Sequence, residues 1–161
     1  MATDWIPETV WDDIVSHVPI VSVDLVVRTP DGVVLGKRAN EPAKGEWFVP
    51  GGRIHKRERL IDAVDRVAAE ELGVETVRVL ESLGAYEHIY DTGGADDSGK
   101  HYLANGFVIE TDTTIDGMTL DYQHTDLRVF EVGALPTPLH EYSAAYFRDA
   151  ESVGYPADED D

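Results

Sequence analysis

The chain has 161 residues, no cysteine and a formal net charge of -19. That length suits one domain with a sizeable hydrophobic core. The lack of cysteine excludes disulfides, thiolate metal sites and a cysteine nucleophile. No apolar run approaches the roughly 20 residues of a membrane span, and the acidic N-terminal stretch is unlike a signal peptide. Nucleic acid and anionic membranes, which need basic footprints, are poor partners. A cytoplasmic protein is expected.

The acid excess has a plain reading, solubility through self-repulsion. The sharper and favoured reading is adaptation to molar salt, where the Debye length falls to about 3 Å. An anionic nucleotide then needs cations gathered locally, and Lys37, Arg38, Arg53, Lys56, Arg57 and Arg59 supply them.

In chain order, residues 7–18 read as a short helix and 20–27 as a β-branched strand. A Thr-Pro-Asp-Gly turn at 29–32 leads into a second strand at 33–37, a hairpin signal. Residues 47–49 form a short strand stopped by Pro50, Gly51 and Gly52. From 58 to 72 the apolar residues Leu60, Val64, Val67, Ala68 and Leu72 recur at helical spacing, and Gly73 is a natural stop. Longer strands are expected at 77–89 and 101–109, with a polar, glycine-rich loop at 91–100 between them. A short strand at 127–131, a helix at 141–152 and a solvated acidic tail at 158–161 complete the chain. With no internal repeat and no dividing linker, this order fits one domain over 1–161: an α/β fold, a mixed sheet sandwiched between helices.

Residues 51–74 carry the most specific pattern. Gly52 is followed by Glu58, Arg66, Ala68, Glu70, Glu71, Gly73 and Val74. This resembles the Nudix box at every fixed position but one. Where the box has a glutamate after its arginine, this chain has Val67, which can neither bind a metal nor accept a proton. On a helix Val67 and Glu71 share a face, as do Arg66 and Glu70. In an intact box such glutamates build an oxygen-lined site for magnesium or manganese that bridges substrate phosphates. The plain alternative for Glu70 and Glu71 is a solvated acidic face. Gly51 and Gly52 allow a sharp turn and a close backbone approach to a ligand.

Outside the box, PIVSVDLVV (19–27), LGKRANEPAKGEWFVPGGR (35–53), HYLANGF (101–107) and YQHTDLR (122–128) narrow the match. They resemble the GDP-mannose mannosyl hydrolases, a Nudix branch that also lacks the glutamate after the box arginine. The resemblance runs over 19–147 and implies a Nudix-type α/β/α sandwich. It also implies attack of water on the anomeric carbon of a nucleoside-diphosphate sugar, with release of the intact diphosphate. It makes His124 the base, suited to that work by a pKa near neutrality. Gln123, Glu71 and the carbonyl of Gly51 become ligands of Mg2+, with Mn2+ as a substitute. Arg38, Arg53 and Tyr102 meet the charge developing on the diphosphate, and Asp24 contacts the sugar. A homodimer is implied as well, although nothing in the residues alone marks its interface.

Each residue also has a plainer role. His124 fits a surface or capping position, Asp24 an exposed strand position, Tyr102 a core aromatic. Arg38 and Arg53 fit surface cations paired with surplus acid. His88 and Tyr90 are placed to line the substrate cleft, while His17, His55 and His140 read as structural. Glu70 stands where close relatives often carry a small residue, and it offers a further carboxylate to a metal. Two other functions therefore stay open: an ordinary Nudix pyrophosphohydrolase cutting at phosphorus, with Glu70 compensating for Val67, and a silent nucleotide-sugar binding module. The 91–100 loop has its own sequence, and such loops set substrate choice.

Overall fold

The computed structural model describes residues 5–40, 43–118 and 124–153. Gln123 and the acidic tail lie outside the described residues, and His124 and Thr125 are described by their backbone alone. The elements are α1 (Glu8–His17), β1 (Ile20–Thr29), β2 (Gly32–Arg38), β3 (Trp47–Phe48), β4 (Gly51–Arg53), α2 (Leu60–Leu72), β5 (Arg78–Tyr90), β6 (Lys100–Glu110), β7 (His124–Phe130) and α3 (Glu141–Asp149).

The strands form one mixed sheet in the order β3-β2-β1-β6-β5, with β4 added to β1 and β7 to β2. β1 and β6 run parallel along their length, and the remaining pairs are antiparallel. Alternation along β1 divides the interior. Val23, Leu25 and Val27 face the core beneath α2, where Ala63, Val64, Val67, Ala68 and Leu72 meet them. Val26 faces the opposite core, with Tyr146 and Phe147 of α3, Trp47 and Val108 of the sheet, and Val49 between β3 and β4. Helices thus cover both faces, the expected α/β/α sandwich.

Helix α2 ends because Gly73 takes a left-handed conformation (φ 68°) and returns its N–H to the last turn. At the other end, α2 begins two residues later than the pattern predicts. Glu58 stays outside the helix, accepting a hydrogen bond from the His55 N–H at 3.0 Å and gripping Arg66. Helix α3 ends at Asp149, short of residue 152, because the chain there turns onto β5: Glu81 accepts from the Glu151 and Ser152 N–H groups.

The larger correction concerns Gly51 and Gly52, read as a turn. They form β4, paired with β1 through Asp24↔Gly51, Val23↔Gly52 and Ser22↔Arg53. Glycine is a poor strand former in general. Here both glycines are required by close approach, as the site shows.

Candidate active site

The site is built around β4, whose Gly52 faces Val67 of α2 on one side and whose Gly51 faces Asp24 on the other. On the α2 side, a Cβ on Gly52 would lie 3.1 Å from Val67 Cγ2, so the missing side chain lets α2 settle onto the strand. Val67 is 1% exposed and packs wholly into the apolar core. A second anchor is Arg66, whose guanidinium donates to both Glu58 carboxylate oxygens at 2.8 and 2.9 Å and to the Arg53 carbonyl at 2.7 Å. Its remaining nitrogen reaches Glu70 at 2.9 Å. The bidentate grip is the strong kind of ion pair. It holds Glu58 below the usual carboxylate range and Arg66 above its ordinary value, in both cases mainly through their mutual hydrogen bonds.

The ladder also fixes where the β4 carbonyls point. Leu25 N–H donates to the Pro50 carbonyl and Ile54 N–H to the Val21 carbonyl. Alternation then turns the Gly51 and Arg53 carbonyls away from β1. That of Arg53 is taken by Arg66. Since Arg66 meets residue 53 and Val67 meets residue 52, α2 runs antiparallel to β4, and the turn bearing Glu70 and Glu71 lies toward Gly51.

On the α3 side the feature is Asp24. Its neighbours across the sheet are Gly51 on β4 and Gly106 on β6. A Cβ on Gly51 would run into Asp24 Oδ1, and one on Gly106 would lie 2.7 Å from Tyr146 Cε1. The flanking glycines therefore make room for this carboxylate and for the ring above it. Tyr146 donates its hydroxyl to Asp24 Oδ2 at 2.7 Å. Asp24 is largely buried, with its side chain 19% exposed. Burial raises its pKa from 3.8 to about 6, against the lowering effect of the Tyr146 hydrogen bond.

Aromatic groups surround it. The His88 ring stacks on Tyr142 at 4.3 Å and 6°, and His88 Nδ1 lies 3.8 Å from Asp24 Oδ2. Burial first, and the charge of His140 second, lower the His88 pKa to about 4, so near neutrality His88 is no counterion for Asp24. Tyr90 and Tyr102 meet edge to face at 6.3 Å, and burial raises the pKa of both hydroxyls. Tyr142 is locked by accepting the Ile89 N–H and donating to its carbonyl. Arg38 sits 5.8 Å from the Phe48 ring centre and donates to the Asn40 carbonyl. Its charge is felt by Tyr90, Tyr102, Lys100 and His140. An acid floor, aromatic walls and a cationic rim suit a polyhydroxylated, anionic ligand.

Of the residues singled out from sequence, Asp24, Arg38, His88 and Tyr102 thus share this face. His124 stands opposite Arg38 in the β2–β7 register, next to a shift between Lys37 and Arg38. Arg53 lies elsewhere, over the Trp11 ring at 5.4 Å. There it lines a separate cavity of about 310 Å³ between α1 and the 55–58 loop. Glu71 is half-buried on α2, whereas Glu70 is exposed and spent on Arg66. Among the described residues no three acid or histidine side chains converge on a metal position. The donor set implied for Mg2+ needs no such cluster: carboxylate, backbone carbonyl and amide oxygens are all hard ligands. His140 caps α3, its Nδ1 accepting from the Tyr142 N–H at 3.1 Å. Sequence reasoning missed Tyr142, Tyr146, Gly106 and Lys100. The one available signal was that even-numbered residues of β6 share a face with Tyr102.

Residues 18–150 match the NUDIX domain. The low-salt glycan biosynthesis protein Agl8 of Haloferax volcanii is 52% identical over 130 residues, covering 80% of this chain and 81% of that protein. The ADP-ribose pyrophosphatase of Methanocaldococcus jannaschii is 37% identical over 92 residues, 57% of this chain and 51% of the enzyme. A MutT NUDIX hydrolase of Burkholderia pseudomallei has the same fold at TM-score 0.65 and 24% identity, over 82% of this chain and 98% of its own. This chain belongs to the Nudix family, whose hydrolases act on small nucleotide derivatives and generally use divalent metals such as Mg2+.

Proposed function

We propose, from that membership, that this Nudix hydrolase splits a nucleoside-diphosphate sugar at the anomeric carbon, giving a nucleoside diphosphate and free sugar. The observation that carries the reading is the position of Val67. The residue after the box arginine is sealed in the core, so it serves neither metal nor water. The polar machinery gathers instead on the opposite face, around Asp24.

In this reading the water oxygen bonds to the anomeric carbon while His124 takes its proton. The bond from that carbon to the phosphate oxygen breaks, and its electron pair leaves on the diphosphate. Asp24 holds sugar hydroxyls, with His88 beside it. Arg38 and Tyr102 meet the diphosphate; Arg53, which the resemblance also implied there, lies over Trp11 away from this face. Glu71, the Gly51 carbonyl and Gln123 are the residues that would hold Mg2+, with Glu70 next to them; the ion would neutralise leaving-group charge. The outward Gly51 carbonyl and the direction of α2 support that set. The kinship with Agl8, named for glycan biosynthesis, supports a sugar-bearing substrate, GDP-mannose being the first to try. Adaptation to molar salt, a single domain over 1–161, a cytoplasmic location and a homodimer belong to the same proposal.

Reaction in oxygen-18 water tests it. Label in the free sugar supports attack at carbon, and label in a phosphate product overturns it. The second reading, a pyrophosphohydrolase, draws on the similarity to the ADP-ribose enzyme and on the retained Glu70 and Glu71. It predicts the phosphate label and a nucleoside monophosphate product.

A further inference from the structure

Lys100 opens β6 opposite Tyr90. Strand alternation puts it on the face of Tyr102 and Gly106, the face that holds Asp24. Its stem is set by the 91–99 loop. Gly93 adopts φ +106°, and a Cβ there would lie 3.4–3.5 Å from Lys100 Cε, Cδ and Cγ. At the loop's exit Gly99 takes φ +96°, where a side chain would collide with the Tyr90 carbonyl. The loop therefore lays the lysine stem against the backbone at Gly93.

The charge environment is the anomaly. The chain has 32 acidic residues and four lysines (Lys37, Lys44, Lys56 and Lys100). Lys100 nevertheless has no carboxylate partner among the described residues. Burial first, and the like charge of Arg38 second, lower the lysine's pKa. Arg38 has no carboxylate partner among the described residues either; there it meets the Asn40 carbonyl and the Phe48 ring. Two neighbouring cations in a partly buried cleft repel each other unless an anion sits between them.

We propose that Lys100 is a substrate-binding residue: with Arg38 it forms a two-cation subsite for the sugar-bearing phosphate of a nucleoside-diphosphate sugar, preset by the 91–99 loop. This rests on the nucleotide-sugar reading and adds to it the group that takes the charge nearest the sugar. A preset stem loses little freedom on binding, so more of the contact appears as affinity.

The test is calorimetric titration of GDP, UDP and ADP, with magnesium, into the wild type, Lys100→Met and Lys100→Arg, alongside the matching monophosphates. Lys100→Met should weaken binding of the preferred diphosphate about 10- to 100-fold, the range for a charge-assisted contact. The monophosphate should change less than threefold or so, and Lys100→Arg should keep most of the affinity. Unchanged diphosphate binding in Lys100→Met overturns the proposal, as does equal weakening of monophosphate and diphosphate. Equal losses in both variants with a lowered melting temperature would assign the stem a structural role and also overturn it. A wild type that binds none of the three diphosphates would overturn the nucleotide-sugar reading itself, whereas failure at Lys100 alone would leave that reading standing.

Discussion

Replacing Asp24 with asparagine should make the protein more stable and less active, and the stability gain should depend on pH. The carboxylate titrates near 6 in the fold against 3.8 ordinarily. Its pKa is raised, so the folded state holds the proton more tightly than the unfolded state does. The stabilising contribution of protonated Asp24 is complete below about 3.8 and lost as pH rises through about 6. At pH 8 the ionised group costs about 3 kcal/mol relative to a neutral isostere, and near pH 4 less than about 1 kcal/mol. Asparagine keeps an acceptor for the Tyr146 hydroxyl, so little offsets the gain. For a chain of this size, about 3 kcal/mol corresponds to roughly 6–12 °C in melting temperature. His88 imposes the opposite trend. Its pKa is lowered to about 4, so its neutral form stabilises the fold above about 6.5 and that contribution is lost as pH falls toward 4. Comparing variant with wild type at each pH removes most of the His88 contribution. Melting curves from pH 4 to 8 in molar salt provide the measurement. A variant that melts lower than wild type at pH 8, or a difference that does not shrink toward pH 4, would refute the reasoning about burial.

Further outcomes follow from the same geometry. Tyr146→Phe removes the hydrogen bond that lowers the Asp24 pKa, so the acid limb of the pH–rate profile should move to higher pH. His124→Gln should lower turnover about 10²- to 10⁴-fold with little change in substrate affinity; undiminished activity near neutral pH would put the base elsewhere. Glu71→Gln should weaken magnesium activation more than Glu70→Gln, because Glu70 already serves Arg66, and equal effects in a magnesium titration would favour the pyrophosphohydrolase. Melting temperature should rise with salt as carboxylate repulsion is screened, while the Michaelis constant for an anionic substrate also rises; a flat or falling melting temperature would remove the halophilic reading.

Much of the fold was legible because the interior strands and α2 carry unbroken local patterns. The 3.6-residue recurrence in α2 and the β-branched run of β1 placed those elements to within two residues, and β5 and β6 lie within one residue of their expected bounds. β4 was not legible, because its strand state comes from pairing with β1 and overrides the turn preference of two glycines. β7 begins at His124 rather than 127, since polar residues hide a strand whose partner is β2. For the site, the box and the flanking segments named Asp24, Arg38 and Tyr102, which the fold places on one face. They gave no hint that Asp24 is largely buried, because a carboxylate in a strand looks the same whichever face it takes. Tyr146 lies 122 residues from Asp24, and no local pattern connects residues that far apart.

The two faces of β4 explain how one residue could be lost from the box while the fold held. On the α2 side, Gly52 and Val67 make an apolar contact, and the bracing is left to Arg66 with Glu58, Glu70 and the Arg53 carbonyl. None of those contacts needs a carboxylate at position 67, so its replacement by valine adds core without loosening the helix. On the α3 side, Gly51 and Gly106 keep open the space that Asp24 and Tyr146 fill. That space holds a largely buried acid whose ionised form burial disfavours. A polar group kept at such a cost in stability is expected where chemistry, not packing, decides the residue. The carboxylate on which to look for substrate contact is therefore the one beneath Tyr146.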